Sequence, residues 1–282
     1  MDITKRNFEV INEINEKIEI DLRLPEIISK PKPAIFILHG FKGWKEWAFL
    51  PFIAGEFAQN AIAITFSFSL SGMIEGSDWV EYPEKFARNT ISQELKDLDT
   101  VINAFKNGHL LGRDELSRNW NSEIYLLGHS LGGGIAIVYA SENKFVNKIA
   151  VWASVGKFDR YTERQKSLWK KSGFIEFTHS RTGQLLQMNL SYLEDLENNS
   201  ERYNLTRAVT LLSCPMLIVH GNLDLTVPID EAMQLEQVAG SKTQTYYLPK
   251  ASHVFGVSHP MKLPSRALNN SLEKTMEFLN LR

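Results

Sequence analysis

The stretch IYLLGHSLGGGIAIVYA, residues 124–140, sets a serine between two apolar segments and flanks it with glycines. Ile124-Tyr125-Leu126-Leu127 has the unbroken apolar character of a strand buried on both faces. Residues 131–142, rich in Gly, Ala and Ile, have the length of one helix. Two readings of Ser130 compete. In one, it caps a helix that packs closely on the sheet. In the other, it is a nucleophile held on a tight strand-to-helix turn, where the Gly-x-Ser-x-Gly spacing leaves room for a strained backbone. Such a turn aims the helix N-terminus at the serine and leaves the Leu131 N–H free to bind a developing oxyanion.

Outward from this stretch, strand and helix patterns alternate. Residues 7–24 read as one or two opening strands. AIFILHG (34–40), AIAITFSF (61–68), KIAVWAS (148–154), PMLIVHG (215–221) and TQTYYLP (243–249) read as further strands. Helices are expected over 45–59, 91–105, 229–239 and 264–280; in 91–105 the apolar residues recur at helical spacing. The alternation predicts an α/β fold with a mainly parallel central sheet flanked by helices. Residues 155–213 exceed one crossover. FIEFT-HSRTG-QLLQM reads as a hairpin and LSYLEDLENNSERY as a helix. The chain 1–282 is therefore expected to form a single domain, with 155–213 a cap insertion containing a hairpin and helices.

Composition narrows the function classes. The 282 residues carry a formal net charge of −2, without the basic surplus of a nucleic-acid binder. No apolar run reaches the ~18–20 residues of a membrane span. MDITKRNFEV, at the start, lacks the apolar core of a secretory signal. With Cys214 as the single cysteine, no intrachain disulfide can form. The expected location is cytoplasmic.

Three further segments bear on Ser130. LHGFKG (38–43) ends an early strand, and its His-Gly pair can turn the chain so that the Phe41 N–H becomes a second oxyanion donor. IVHGNLDLTVP (218–228) places Asp224 just past a strand, where it either caps a turn or orients a histidine. LPKASHVFG (248–256) places His253 in the loop after the last strand. Each follows a different strand at one sheet edge, where open α/β sheets collect ligands, and the order Ser130, Asp224, His253 suits nucleophile, acid and base. His259 is the competing base. Pro260 after it favours an extended or turn conformation and predicts a path toward the last helix, away from the pocket.

With HG-F at 39–41, G-H-S-L-G-G at 128–133, H-G-x-x-D-x-x-V-P at 220–228 and S-H-V-F at 252–255, the sequence resembles the α/β-hydrolase superfamily. The resemblance spans nearly the whole chain. It is strongest to the dienelactone-hydrolase-like and prolyl-oligopeptidase-like serine hydrolases, the branch that includes cinnamoyl and feruloyl esterases. It implies a Ser130–His253–Asp224 triad, an oxyanion hole from the Phe41 and Leu131 N–H groups, and a small cap after the sixth core strand. Dienelactone hydrolases themselves use cysteine where Ser130 stands, no propeller domain precedes the core, and the lipase HGGG motif is absent.

The implied reaction is hydrolysis of carboxylic esters of small to medium acyl groups through an acyl-enzyme, with no cofactor and no metal. A small-molecule ester is the only partner it points to. The alternatives are an acyl-aminoacyl peptidase, a thioesterase, a cofactor-free perhydrolase, or an inactive binding protein on the same scaffold. Lys42, His129 and Arg181, the last at the tip of the 179–183 turn, are candidate substrate contacts, although a solvated Lys42 and a structural His129 are the plainer expectations. His220 is expected to be structural, His109 and His179 to lie at the surface, and Trp44, Trp47 and Phe49 to pack in the core, with lining of the pocket as their alternative role.

Overall fold

The computed structural model describes residues 2–179 and 181–282. The opening strands are β1 (Ile3–Ile11), β2 (Lys17–Pro25) and β3 (Lys32–Leu38), followed by α1 (Leu50–Phe57), β4 (Ile62–Phe66), α2 (Pro83–Arg88) and α3 (Ile91–Lys106). Then come α4 (Arg113–Asn119), β5 (Trp120–His129), α5 (Leu131–Glu142) and β6 (Val146–Trp152). Between β6 and the next core strand stand α6 (Glu163–Ser172), β7 (Phe174–Thr178), β8 (Leu185–Asn189), α7 (Leu190–Asn198) and α8 (Leu205–Thr210). The chain closes with β9 (Met216–Gly221), α9 (Ile229–Val238), β10 (Thr243–Leu248) and α10 (Arg266–Leu279).

Eight strands form one sheet in the order β1-β2-β4-β3-β5-β6-β9-β10, while β7 and β8 pair as a separate hairpin. From β4 to β10 every pairing is parallel; β2 runs antiparallel to both β1 and β4. The strand order reverses between β3 and β5: the chain moves from β3 outward to β4, then returns to lay β5 on the other side of β3. A crevice opens at the carboxyl ends of strands that diverge in this way. The register matches Leu38 with Gly128, so β3 and β5 end side by side.

Strand alternation feeds two cores, because successive side chains point to opposite faces. Ile124 and Leu126 of β5 join Phe36, Ile64, Val151 and Ile218 under α3 and α5. Tyr125 and Leu127 join Ile35, Ala150 and Val219 under α1 and α10. Helix α3 starts at Thr90, whose side chain accepts the Gln93 N–H, and turns Leu95, Leu98, Val101, Ile102 and Phe105 inward. No helix among the described residues is long and apolar enough to cross a membrane.

The expected helix over 45–59 begins only at Leu50; residues 45–49 are a loop beneath the site. Helices α2 and α4 lie outside the expected elements, while α6 and α8 fall in the 155–213 insertion, where helices were expected without individual bounds. The hairpin and α7 lie where the pattern of residues 174–203 placed them.

Helix α3 also buries a carboxyl without a cation. Glu94 accepts a hydrogen bond from Asn89 Nδ2 at 2.8 Å, while its other oxygen is buried without a partner among the described residues. Burial, with nearby Asp97 adding to it, pushes the Glu94 pKa up to about 8. A carboxyl with a raised native pKa stays protonated while the unfolded chain ionises. Its contribution to stability is intact below the unfolded value near 4.5 and is lost as pH rises toward 8. Glu94→Gln should remove that slope, which is about 1.4 kcal/mol per pH unit for one group. The Tm advantage of the variant should grow from pH 5 to pH 8 in calorimetry; an advantage that is flat with pH would contradict the protonated carboxyl.

Candidate active site

Ser130 sits between the end of β5 and α5 with φ 56° and ψ −119°. A positive φ is rare outside glycine and costs on the order of 1–3 kcal/mol, so surrounding contacts must hold it. They do: Ser130 N–H donates to Trp152 O at 2.9 Å, and its carbonyl accepts from Gly133 N–H at 3.0 Å and Val155 N–H at 3.2 Å. The flanking glycines answer to sterics. A Cβ on Gly128 would lie 2.1 Å from Gly132 O, and one on Gly132 would lie 2.4 Å from His39 O. Although Ser130 occupies the N-cap position of α5, its side chain makes no capping hydrogen bond. The capping reading of Ser130 therefore fails, and the hydroxyl is left facing a cavity of about 380 Å³.

The loop after β3 backs onto this serine; a Cβ on Gly40 would lie 2.9 Å from Ser130 Cβ. His39 sets the loop. Its Nε2 accepts the Phe68 N–H at 3.1 Å, which leaves the proton on Nδ1 to donate to Gly40 O at 2.9 Å. Gly43 N–H donates to the same carbonyl at 3.0 Å. In a trans peptide the following N–H points opposite to the carbonyl, so fixing Gly40 C=O also fixes the direction of Phe41 N–H. Burial lowers the His39 pKa to about 4, which keeps this donor and acceptor pair in place at neutral pH. Among the described residues, neither Phe41 N–H nor Leu131 N–H has a backbone or side-chain acceptor.

Asp224 and His253 come from the loops after the adjacent strands β9 and β10. Asp224 Oδ1 accepts the N–H groups of Thr226 and Val227, both at 2.8 Å. Its Oδ2 accepts from His253 Nδ1 at 2.7 Å, with His220 Nε2 at 3.4 Å. Burial alone would raise the Asp224 pKa, but the hydrogen bonds from His220, His253 and Val227 N–H hold it well below the usual carboxylate range. His220, fully buried, donates from Nε2 to Val227 O at 2.9 Å and shapes the Asp224 loop. Both His253 and Ser130 line the cavity. No hydrogen bond joins Ser130 Oγ to His253 Nε2, whose ring is bonded through Nδ1 to Asp224.

His129, next to the serine, is buried and stacked on Trp47 with 5.6 Å between centroids. Its Nε2 donates to His253 O at 3.0 Å, so one ring nitrogen holds the backbone of the proposed base. Burial, reinforced by repulsion from His253, lowers its pKa to about 3 and keeps it neutral. Lys42 and Arg181 line the same cavity.

Several expectations need correction. His179 is not at the surface: it is 4% exposed, lines the cavity, and pairs through Nδ1 with Thr182 Oγ1 at 2.8 Å. The path through Pro260 does not lead His259 away. His259 lines the cavity, stacks edge-on against Trp44, and accepts the Ala48 N–H on Nδ1 at 2.8 Å. Trp44 and Phe49 are core residues, but Trp47 is half-buried and lines the cavity. Lys42 is half-buried rather than solvated.

No protein-family model matches the chain, and no curated protein sequence matches it. Solved structures do. Est1E from Butyrivibrio proteoclasticus with ferulic acid bound is 16% identical, with a TM-score of 0.69 and coverage of 97% of this chain and 98% of that one. The alpha/beta hydrolase GrgF from Penicillium sp. sh18 is 17% identical, with a TM-score of 0.68 and 98% of each chain covered. The chain has the α/β-hydrolase fold. A dienelactone hydrolase from Anabaena variabilis ATCC 29413 is 15% identical, with a TM-score of 0.62 and 99% of each chain covered. At these identities the likeness extends to the fold and the path of the chain.

Proposed function

We propose that this protein is a serine hydrolase that cleaves carboxylic esters of small to medium acyl groups through an acyl-enzyme. The observation that carries the reading is the 2.7 Å bond between His253 Nδ1 and Asp224 Oδ2, in a cavity where Ser130 presents a hydroxyl not used for capping. The fold shared with an esterase that binds ferulic acid and with a dienelactone hydrolase supports it by analogy.

In this reading Ser130 Oγ attacks the ester carbonyl while His253 Nε2 takes its proton. Asp224 holds Nδ1–H and offsets the imidazolium charge. The carbonyl oxygen, now negative, is bound by the Phe41 and Leu131 N–H groups. His253 returns the proton to the departing alkoxide, and water repeats the sequence to release the acid. The direct test is a fluorophosphonate probe: covalent labelling at Ser130, read by peptide mass spectrometry, is expected, and an unlabelled folded protein would refute the assignment.

Residues 155–213 act in this proposal as a cap within a single domain. The hairpin β7–β8 is docked over the site end of the sheet. Gln184 exchanges hydrogen bonds with the Val80 backbone, both at 2.9 Å, and Phe177 packs on Phe41 with 5.6 Å between centroids. Shortening the 175–188 hairpin should therefore change KM and acyl-chain preference by about tenfold, since one methylene in an apolar pocket is worth 10–200-fold. Ser130 should still react with a small probe. A shortened, folded protein that no longer labels would make the hairpin part of the catalytic frame.

A further inference from the structure

The cavity around Ser130 carries a charge imbalance. Lys42, Arg181, His179 and His259 line it, and among its described lining residues there is no aspartate or glutamate. Lys42 Nζ lies 5.5 Å from the ring centroids of both Phe41 and Phe177, held against aromatic faces. Its burial and the charge of Arg181 both lower its pKa, and no carboxylate counters them. Arg181 rests on Trp44 with its guanidinium carbon 5.5 Å from the ring centroid. Its nearest carboxylate is Asp78, with Nε to Oδ1 at 3.4 Å, and the same oxygen lies 3.4 Å from His259 Nε2. Burial, and then Lys42 and Arg181, lower the pKa of His179, which places all three in one electrostatic cluster.

Partly desolvated cations beside one another are unfavourable unless an anion joins them. Cation–π contact offsets only part of that cost. Arg181 is partly answered by Asp78; Lys42 has only aromatic faces. Lys42 is the cation left without a carboxylate partner among the described residues, which suits an anionic group carried by the substrate. Its place in the site is also defined. Lys42 follows Phe41, the proposed oxyanion donor, and its ammonium reaches the Phe177 face of the hairpin proposed to cover the acyl group.

We propose that Lys42, supported by Arg181, binds a free carboxylate at the far end of the acyl group, so that the preferred substrates are hemi-esters of dicarboxylic acids. This rests on the serine-hydrolase reading above. A solvated lysine would show neither the burial nor the two aromatic contacts.

The test uses one skeleton with and without the charge: mono-4-nitrophenyl adipate and its methyl ester. The full-length protein should favour the acid over the methyl ester in kcat/KM by about tenfold or more at about 0.05 M salt, and by much less at about 0.5 M. Lys42→Met should cut that ratio by about tenfold, Arg181→Met by less, and Lys42→Arg should keep most of it, because a cation remains in reach. A ratio of one or below in the parent, with Ser130 still labelled by a fluorophosphonate, overturns the carboxylate site and leaves the hydrolase reading standing. If neither ester is cleaved and Ser130 does not label, the hydrolase reading is wrong, and adipate binding measured by calorimetry decides the site instead. Binding that Lys42→Met abolishes supports the carboxylate site. Absence of binding, or displacement of adipate by an equal concentration of inorganic phosphate, overturns it.

Discussion

Ser130→Ala is expected to fold as the parent does and to lose nearly all ester turnover. The serine is held by backbone bonds from Trp152, Gly133 and Val155, none of which involves Oγ. Removing Oγ therefore takes away the nucleophile and little else. Alanine must still adopt φ 56°, as serine already does, so the strain is carried over rather than added. What remains is binding and the two free N–H groups, worth a residual of about 10³–10⁴ over water in triad enzymes. Circular dichroism and Tm should match the parent within error, while burst and steady-state release of nitrophenol should both vanish. Retained kcat in pure variant protein would mean that another group attacks the ester, and the strand-to-helix turn at Ser130 would then be a packing device.

Much of this arrangement is legible in the sequence because of how burial writes itself into strands. β3, β5, β6 and β9 are covered on both faces, so each appears as an apolar run whose end marks a loop at the site. The loop bearing Asp224 could be placed for that reason alone, whereas His253 follows the edge strand β10, whose TQTYYL run is marked by β-branched and aromatic residues rather than by full burial. Elements outside the core left weaker marks. Helix α6 buries only Trp169 and shows no apolar stripe; its ends are instead set by the Thr162–Gln165 capping box and by Gly173 at φ 82°. That Thr-x-x-Gln to Gly spacing was a readable signal that hydrophobic periodicity passes over.

The pocket histidines were less legible. His259 is placed by a hydrogen bond to the backbone of Ala48, 211 residues earlier, and no local pattern encodes such a contact. His179 faces inward because the hairpin folds over the sheet. Lys42 turns inward on a residue with φ 60° in a loop whose shape His39 and Gly43 determine. In each case the missing information was the tertiary path, not the residue type. Ser130, Asp224 and His253, the proposed triad, escaped this limit because each lies within a few residues of a strand end.

The presence of His259 in the cavity sharpens the assignment of the base, and His253→Ala should abolish ester hydrolysis while His259→Ala retains most of kcat. A base needs a free nitrogen toward the nucleophile and a partner that stabilises the imidazolium on the other. His253 has both. Its Nδ1 is bound to Asp224, whose carboxyl is fully buried, anchored by two backbone N–H groups and kept ionised by its neighbours. His259 has neither in usable form. Its Nδ1 accepts a backbone N–H and so cannot carry a proton without losing that bond. Its Nε2 faces Asp78 at 3.4 Å, a carboxylate whose side chain is 44% exposed, while burial and Arg181 disfavour its charged form. His259→Ala should therefore act mainly through KM, by loosening Ala48, Trp44 and Arg181 at the wall of the cavity. His253→Ala should lower kcat by several orders of magnitude, to the level of Ser130→Ala, because members of a triad fail as a unit. The double variant Ser130→Ala/His253→Ala should then be no worse than either single one. The pH profile of the parent should show no acid limb from Asp224, whose carboxyl is held ionised well below the usual carboxylate range. A His259→Ala protein that is inactive beside an active His253→Ala would transfer the proton to the other ring and require a different partner for Asp224.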